Sequence, residues 1–375
     1  MSTQGPQLDA RFLLGSQGWP YLLVPFIAVA IALELAHSSA TLIFFAAALG
    51  IIPTAALMGR ATEELAARSG PGIGGLLNVT FGNAPELIIA LFALNAGLHE
   101  LVKATIIGSI IGNVLLVLGA AMLVGGIGRK VQKFDRTAAG VQSSMLFLAA
   151  AAIVMPAVFV LVDGSGLPSV DAELVNFSPT VENLSLAVAI VLIATYLAGL
   201  LFSLRTHFAL FNPPYETDDD TWGWTTRRSV TMLAIAGVAV GVMSEILVGS
   251  IAEASESIGL SQFFIGVIIV AIVGNAAEHW VAVLVARKDK MDLAVNIAIG
   301  SSAQIALFVA PVLVVASFVI GPGPMALVFN GFALAAVLIA TLIANVVTRE
   351  GESNWFEGVQ LLAVYTVLGI AFFYA

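Results

Sequence analysis

The chain has 375 residues, of which 59% are hydrophobic and 10% are charged, and its mean hydropathy is +1.01. Soluble domains carry about 25% charged residues, so this composition excludes a water-soluble globule. The apolar runs are long enough for helices, which predicts an all-α integral membrane protein. The formal net charge of −9 argues against nucleic acid as a partner, and the absence of cysteine excludes disulfides and thiolate metal sites.

Apolar runs separated by turn and charge signals predict eleven transmembrane helices. The polar start, MSTQGPQLDARFLLGSQG, lacks the pattern of a cleavable signal, so the first span is predicted to remain in the mature protein. In chain order the spans centre on residues 19–36, 40–58, 72–98, 104–126, 138–161, 182–204, 229–254, 261–286, 292–320, 325–347 and 355–374.

The basic residues set the predicted orientation. Of the 15 Lys and Arg residues, all except Lys103 fall on one side of this arrangement. Because loops rich in Lys and Arg are kept in the cytoplasm, the N-terminus is predicted to be cytoplasmic and the C-terminus external. The predicted location is the plasma or inner membrane, with the lipid bilayer as surrounding partner.

The first polar interruption is FGNAPELIIA in the third span, where Asn83 and Glu86 lie about one helical turn apart. An ionisable residue inside a membrane helix indicates function. Gly82 on the same face lets an ion or a neighbouring helix approach the backbone closely. Pro85 cannot donate to the carbonyl of Phe81, so we expect a kink here and a carbonyl oxygen available to a ligand.

Residues 205–228, between the sixth and seventh spans, form a linker that is rich in Pro, Asp and Trp and is predicted to be cytoplasmic. Its acidic run ETDDD, at 216–220, lacks the Gly and Glu spacing of a calcium-binding loop. A hydrated linker is therefore the favoured interpretation, and a regulatory Ca²⁺ site is the alternative.

The second interruption, VGNAAEHWVAVLVA in the eighth span, repeats the first. An offset of 192 positions aligns GNAPE (82–86) with GNAAE (274–278), and without a gap it aligns IGSIIGNVLLV (107–117) with IGSSAQIALFV (299–309). The copies lie five spans apart, an odd number, so they insert with opposite orientation. This pattern predicts the inverted-topology repeats of secondary transporters.

The repeat divides the chain into four predicted parts. One extra N-terminal helix occupies residues 1–38, and the first five-helix repeat occupies 39–204, with its signature at 78–117. The acidic linker follows, and the second five-helix repeat occupies 229–375, with its signature at 270–309.

The repeated positions supply carboxylates, carboxamides and hydroxyls. Hard cations such as Ca²⁺ take about six to eight oxygen ligands. Two buried carboxylates that lie close together cannot both stay charged without a high energetic cost, so protons are expected to occupy the empty site. Ca²⁺ and H⁺ would then exchange, with no cofactor. The oxygen-bearing candidates are Glu86, Glu278, Asn83, Asn275, Ser109, Asn113, Ser301, Ser302 and Gln304.

The paired GNAPE and GNAAEH motifs, each followed by a GS helix, resemble those of the Ca²⁺/H⁺ (cation/proton) exchangers of the calcium/cation antiporter superfamily. The resemblance covers essentially the whole chain and implies one extra helix followed by five plus five. Sodium-coupled relatives often carry Asp where Gln304 stands, and Pro85 replaces an expected small apolar residue. By position, the resemblance implies Glu86 and Glu278 as the ion and proton carboxylates, and a lining of Gly82, Asn83, Gly274, Asn275, Ser301 and Gln304.

The candidates also have structural interpretations. Glu86 and Glu278 could be buried carboxylates held by interhelical hydrogen bonds, although their matched placement in inverted copies favours function. The amide and hydroxyl side chains could hold helices together instead. His279 is a candidate for proton coupling because histidine titrates near neutral pH, and a packing histidine is the alternative.

The leading expectation is a secondary active antiporter that exports Ca²⁺ in exchange for H⁺. A Na⁺-coupled or broader divalent-cation exchanger and a passive cation channel are the alternatives, and the sequence leaves assembly into homo-oligomers open. An intramembrane zinc protease would need two His one helical turn apart, as in H-E-x-x-H. The four His, at positions 37, 99, 207 and 279, offer no such pair, so no enzyme is expected.

Overall fold

The structure is a computed structural model that describes residues 10–13, 15, 17–170, 172, 174–207 and 222–375. Within these ranges the fold is helical, as predicted, apart from two short antiparallel strands, β1 (Gln132–Lys133) and β2 (Glu352–Ser353). The described helices are α1 (Ala10–Leu13), α2 (Trp19–Leu35), α3 (Ala40–Phe81), α4 (Ala84–Asn95), α5 (His99–Gly126), α6 (Arg136–Val162), α7 (Pro179–Thr206), α8 (Thr226–Ile258), α9 (Gln262–Arg287), α10 (Met291–Ser317), α11 (Gly331–Val347) and α12 (Trp355–Tyr374).

Most of these helices have the dimensions of membrane spans. Among the described residues, eight helices are long and apolar enough to cross a bilayer, and α2, α4 and α11 are apolar but shorter. An apolar helix needs about 20 residues to cross the hydrocarbon core. The predicted class, an all-helical multi-pass membrane protein, is confirmed.

Helix α3 comprises 42 residues, but it is not straight. A Cβ atom on Gly74 would lie 2.5 Å from the carbonyl oxygen of Ala66, eight residues earlier. In a straight helix, residues eight apart are separated by about 12 Å at 1.5 Å per residue. The chain therefore turns back sharply between Ala66 and Gly74, near the boundary predicted between the second and third spans. Before this turn, charges pair along the helix, with Arg60 lying 3.2 Å from Glu63.

The residues group into two compact units, each drawn from both halves of the sequence. The first unit comprises Met1–Phe92, Leu197–Ser257 and Val273–Ala277, and the second comprises Ala93–Tyr196, Ile258–Ile272 and Glu278–Ala375. Helix α9 contributes one turn to the first unit and its remainder to the second.

In the first unit, α3 and α8 pack against the start of α4. Met58, Ala84, Ala236 and Val240 form a buried apolar cluster where these helices meet. Three of the four side chains are small or β-branched, which lets the helix axes lie close together. The beginning of α4 is therefore fixed between two long helices.

The end of the linker is attached to α3 by Glu64. The carboxylate is only 2% exposed and accepts hydrogen bonds from the backbone N–H groups of Trp222 and Trp224, the latter at 2.9 Å. Arg60 lies 3.9 Å from the same carboxylate, and its guanidinium carbon lies 4.6 Å from the centre of the Trp222 ring. We call Glu64 with residues 222–224 the linker anchor.

The linker anchor lies beyond the acidic run for which a hydrated linker is predicted. Trp224 is 4% exposed, and Arg68 donates to the carbonyl of Gly223 at 3.2 Å. This end of the linker is buried because Trp side chains have a large apolar surface to bury and buried backbone N–H groups need acceptors. The acidic run at 216–220 lies outside the described residues.

In the second unit, α5 and α9 approach closely at two glycines. A Cβ atom on Gly108 would lie 2.2 Å from the carbonyl oxygen of Val267, and one on Gly266 would lie 2.9 Å from Cβ of Ala104. Real Cβ atoms do not approach other atoms that closely, so a side chain at either glycine would push the two backbones apart. The close approach holds Asn113, on α5, beside α9.

The beginning of α5 carries a buried ion pair. Lys103 and Glu100 pair along the helix, and their side chains are 3% and 7% exposed. The ammonium group of Lys103 also donates to the carbonyl of Val328 at 2.6 Å and lies 5.7 Å from the centre of the Phe177 ring. Buried charges are tolerated when paired and hydrogen-bonded, and these contacts fix the segment before α11 onto α5.

The strand pair ties the end of α9 to the second unit. Gln132, opposite Ser353 in the strand register, is 1% exposed and donates to the carbonyl of Ala286 at 3.0 Å. Arg129 donates to the carbonyl of Arg287 at 3.1 Å and lies 3.5 Å from Asp289. These bonds satisfy carbonyls at the helix C-terminus that have no partner within the helix.

Candidate functional site

The first acidic motif lies at a helix break. Gly82 and Asn83 form a turn between α3 and α4, and Pro85 is the second residue of α4. Proline is tolerated in a first helical turn because its missing N–H would have no partner there. Gly82 keeps helical angles, φ −58° and ψ −45°, and donates to the carbonyl of Asn78, so the expected kink takes the form of a two-residue break between the helices. Glu86 falls in the first turn of α4, where the helix dipole stabilises negative charge.

The second motif lies inside α9, which has no break at the motif itself. Gly274 and Asn275 are buried within α9. In the first unit, a Cβ atom on Gly274 would lie 3.8 Å from Cγ of Glu86 and 3.5 Å from Cδ1 of Ile89. The acidic side chain of the first motif thus packs against the glycine of the second. The two copies differ in their backbone, as the Pro in one and the Ala in the other lead one to expect.

Glu278 meets the second GS helix within the second unit. The Ser301 hydroxyl donates to its Oε2 atom at 3.3 Å. The neighbouring Ser302 hydroxyl donates to the carbonyl of Ala298 at 2.8 Å and lies 3.4 Å from the carbonyl of Ile110 on α5. Helices α5, α9 and α10 therefore meet around a carboxylate and two hydroxyls, groups that can bind a hard cation or hold a proton.

His279 and Asn113, two further candidates, contact each other. The Nε2 atom of His279 lies 3.1 Å from Oδ1 of Asn113, which is 1% exposed. From the sequence, the histidine is a candidate for proton coupling and the asparagine a candidate cation ligand, and no pattern in the sequence connects the two. The structure places both beside the carboxylate-bearing turn of α9.

Wide π-helical turns interrupt the helices that carry these residues. They occupy Gly112–Val117 in α5, Ile265–Val270 in α9, and Asn296–Gly300 and Ile305–Val309 in α10. Such turns are rare and often occur at functional sites. The π-helical turns Gly112–Val117 and Ile305–Val309 also coincide, within one residue, under the offset of 192 positions.

The sodium/calcium exchanger protein family matches this sequence over residues 39–205 and 228–374. The chain belongs to this family. The match covers most of the chain and leaves out α1, α2 and most of the linker. Both acidic motifs lie within the matched residues. The predicted resemblance to exchangers is confirmed.

Several relatives match this exchanger over nearly its whole length. A Ca²⁺/H⁺ antiporter of Aphanothece halophytica is 46% identical over 372 residues, covering 94% of this chain and 95% of the relative. The Ca²⁺/H⁺ antiporter ChaA of Bacillus subtilis (strain 168) is 44% identical over 344 residues, covering 91% and 94%. A vacuolar calcium ion transporter of Schizosaccharomyces pombe is 37% identical over 355 residues, covering 94% and 84%.

Solved structures show the same fold. Native YfkE is 40% identical with a TM-score of 0.80, covering 95% of this chain and 100% of that one. A structure described as H⁺/Ca²⁺ exchanger CAX is 13% identical with a TM-score of 0.69, covering 96% and 92%, and at that identity it shows the fold alone.

The remaining predicted residues of the exchanger lie on these helices or, for Gly82 and Asn83, in the turn between α3 and α4. Asn83 and Ser109 are 3% and 4% exposed, while Gly82 and Gln304 are half-buried. Among the described residues, no group of three His, Cys, Asp or Glu side chains could hold a metal ion.

Sequence reasoning missed two polar residues near the second GS helix. The Gln142 amide on α6 donates to Asn296 on α10. A Cβ atom on Gly300, next to Ser301, would lie 3.2 Å from the Asn296 amide oxygen. Asn296 precedes Gly300 by four residues and so shares a helix face with the second GS motif, a spacing that is visible in the sequence. Gln142 has no counterpart in the repeat, so only the fold reveals it.

Proposed function

We propose that this exchanger is a secondary active antiporter that exports Ca²⁺ from the cytoplasm in exchange for H⁺. Relatives named Ca²⁺/H⁺ antiporters that are 44% and 46% identical over nearly the whole chain support this assignment. The structural observation that carries it is the packing of Glu86 against Gly274. The repeat offset pairs Glu86 with Glu278, and on that ground both carboxylates are assigned to one proposed site.

The proposed architecture has eleven membrane crossings, as one extra N-terminal helix and two inverted five-helix repeats. Eight long and three shorter apolar helices supply that number among the described residues. The paired π-helical turns under the 192-position offset support the repeat. The N-terminus is proposed to be cytoplasmic and the C-terminus external, in a bacterial-type inner membrane, because Lys and Arg cluster on one side.

The proposed exchange follows from the charge of the site. Two carboxylates that share a site in low dielectric repel each other and lose hydration. A divalent cation neutralises both charges, and so do two protons, whereas the empty and charged site is costly to move through the membrane. Transport of Ca²⁺ in one direction is thereby tied to transport of protons in the other. The transported ions are the substrates, and the proposed protein is neither an enzyme nor dependent on a cofactor.

The protein's own residues have separate proposed roles. Glu86 and Glu278 bind Ca²⁺ or protons, and Ser301 orients the carboxylate of Glu278 through its hydroxyl. Gly82 and Gly274 leave space for the ion beside the backbone. Oxygen atoms of Asn83, Asn275, Ser109, Asn113 and Gln304 complete the proposed oxygen set, which suits a hard cation.

Paired flux measurements test this proposal. Purified protein in Na⁺-free proteoliposomes with an imposed pH gradient should take up ⁴⁵Ca²⁺ and move protons in the opposite direction, reported by a pH-sensitive dye. Glu86→Gln and Glu278→Gln should each abolish both fluxes. A neutral amide has no negative charge to attract Ca²⁺, and it does not bind and release a proton. Glu256→Gln, at an exposed position on α8, is the matched control and should transport normally.

The same assay separates the alternatives. Ca²⁺ flux that requires Na⁺ at fixed pH gradient would indicate a Na⁺-coupled exchanger. Ca²⁺ flux that dissipates a Ca²⁺ gradient without proton movement would indicate a channel. Full activity in both Gln variants would show that the proposed site is wrong.

A further inference from the structure

The contact between His279 and Asn113 has no part in the exchange cycle proposed above. His279 directly follows Glu278 on α9, and Asn113 lies in a π-helical turn of α5. Their side chains join at 3.1 Å between Nε2 and Oδ1. The inference developed from this contact rests on the proposed function, because it concerns how the cation site is oriented.

A closed set of contacts places Asn113 beside the acidic motif within the second unit. Asn113 contacts His279, and the adjacent Glu278 contacts Ser301. The next residue of α10, Ser302, contacts the carbonyl of Ile110, which precedes Asn113 by about one helical turn. The amide of Asn113 therefore lies in the small region that α5, α9 and α10 enclose.

The amide of Asn113 has two orientations that differ by a half-turn about its last side-chain bond. In the first, Oδ1 accepts from His279, and Nδ2 is buried without a hydrogen-bond partner among the described residues. A buried donor without an acceptor is unfavourable. In the second orientation, Nδ2 donates to Nε2 of His279 and Oδ1 takes the buried position. A carbonyl oxygen that faces no donor is a suitable ligand for Ca²⁺.

We propose that His279 is a positioning residue that turns the amide of Asn113 so that its oxygen faces the cation. The neutral imidazole accepts the amide N–H at Nε2 and so stabilises the second orientation. A hydrogen bond from an outer partner commonly fixes the direction of a metal ligand in this way. His279 itself does not touch the cation.

Three variants isolate the hydrogen bond. His279→Phe keeps a ring of similar size but has no acceptor, so the half-saturating Ca²⁺ concentration should rise about tenfold, the effect of losing one modest interaction. The maximal uptake rate should stay within about twofold, since the carboxylates are intact. His279→Gln retains an acceptor at similar reach and should restore most of the affinity. Val281→Ala, at an exposed position on the same helix, is the control and should leave both values unchanged.

Asn113→Asp provides the decisive background. A carboxylate presents an oxygen in either orientation, so it does not need His279 to turn it. In this background His279→Phe should shift the half-saturating Ca²⁺ concentration by less than about twofold, a coupling that a double-mutant cycle measures directly. A merely structural histidine would cost the same in both backgrounds. Size-exclusion profiles establish that each variant is folded, and His279→Gln keeps the test valid if the Phe variant is not.

The outcomes separate this inference from the proposed function. An equal loss in both backgrounds, or a reduced maximal rate with unchanged half-saturating Ca²⁺, overturns the positioning role. If Glu278→Gln abolishes exchange while His279→Phe has no effect on Ca²⁺ affinity, only the positioning role fails. If Glu278→Gln transports normally, the proposed site itself is wrong, and the positioning role fails with it.

Discussion

Replacement of Glu64 by Ala should loosen the linker from α3. The carboxylate accepts hydrogen bonds from the backbone N–H groups of Trp222 and Trp224 in a place where Glu64 is 2% and Trp224 is 4% exposed. Hydrogen bonds to a charged group contribute about 1.5–3 kcal/mol each. Losing both, with two N–H groups left without an acceptor, should lower the free energy of unfolding of the anchored segment by about 3–5 kcal/mol.

Two further variants test the predicted loss in free energy of unfolding. Glu64→Gln keeps one acceptor oxygen but presents an NH₂ group to the second N–H, so it should cost about half as much. Glu63→Ala is the matched control, one residue away. Glu63 pairs with Arg60 at 3.2 Å, but its side chain is 57% exposed, and exposed ion pairs contribute about 0–1 kcal/mol.

Limited proteolysis and thermal denaturation in detergent measure these effects. Chymotrypsin cleaves after aromatic residues, so cleavage after Trp222 and Trp224 reports local release of the linker anchor, while the melting temperature reports global stability. Cleavage should accelerate strongly in Glu64→Ala, moderately in Glu64→Gln and little in Glu63→Ala. Equal rates in the two Ala variants would refute the reasoning, because they would show that the buried carboxylate contributes no more than an exposed one.

Two other substitutions test the packing of the second unit. Gly108→Ala places a Cβ 2.2 Å from the carbonyl oxygen of Val267, so it should destabilise the fold by about 1–3 kcal/mol. Gly112→Ala is the control and should not destabilise the fold, because a Cβ there meets nothing within 4 Å. Equal melting temperatures for the two variants would contradict the close approach of α5 and α9. Lys103→Met leaves Glu100 buried without its cation and should cost about 3–5 kcal/mol. The double variant Lys103→Met, Glu100→Gln should recover most of the lost melting temperature, and a loss as large as in the single variant would show that the ion pair is not the cause.

The parts of the fold that depend on local composition could be predicted from the sequence. Helices α8 and α10 lie close to their predicted spans because long apolar runs bounded by charges have few alternatives in a membrane. The break at Gly82–Asn83 was anticipated as a kink because Pro85 removes a backbone donor. Charge signals after residue 58 predict the end of the second span, whereas the helix continues past Glu64 before the chain turns back between Ala66 and Gly74.

Contacts between distant segments could not be predicted. Glu64 reaches residues 158 and 160 positions away, and His279 reaches one 166 positions away. Periodicity reports which face of a helix is apolar but not which neighbour it meets. The internal repeat is an exception, because an offset in sequence identifies equivalent positions. The offset pairs Gly82 with Gly274 and Glu86 with Glu278. The packing of Glu86 near Gly274 is visible only in the structure. The serine that contacts Glu278 lies in the second GS motif.

Helix α3 carries the linker anchor and leads to the first acidic motif, with a sharp turn between the two. A Cβ atom on Gly74 would lie 2.5 Å from the carbonyl oxygen of Ala66, so the backbone reverses soon after Glu64. Helices change direction at such irregular points more readily than along a regular stretch. Movement of the linker at Trp222 is therefore taken up at this turn, and the segment that carries Asn83 is mechanically separated from it.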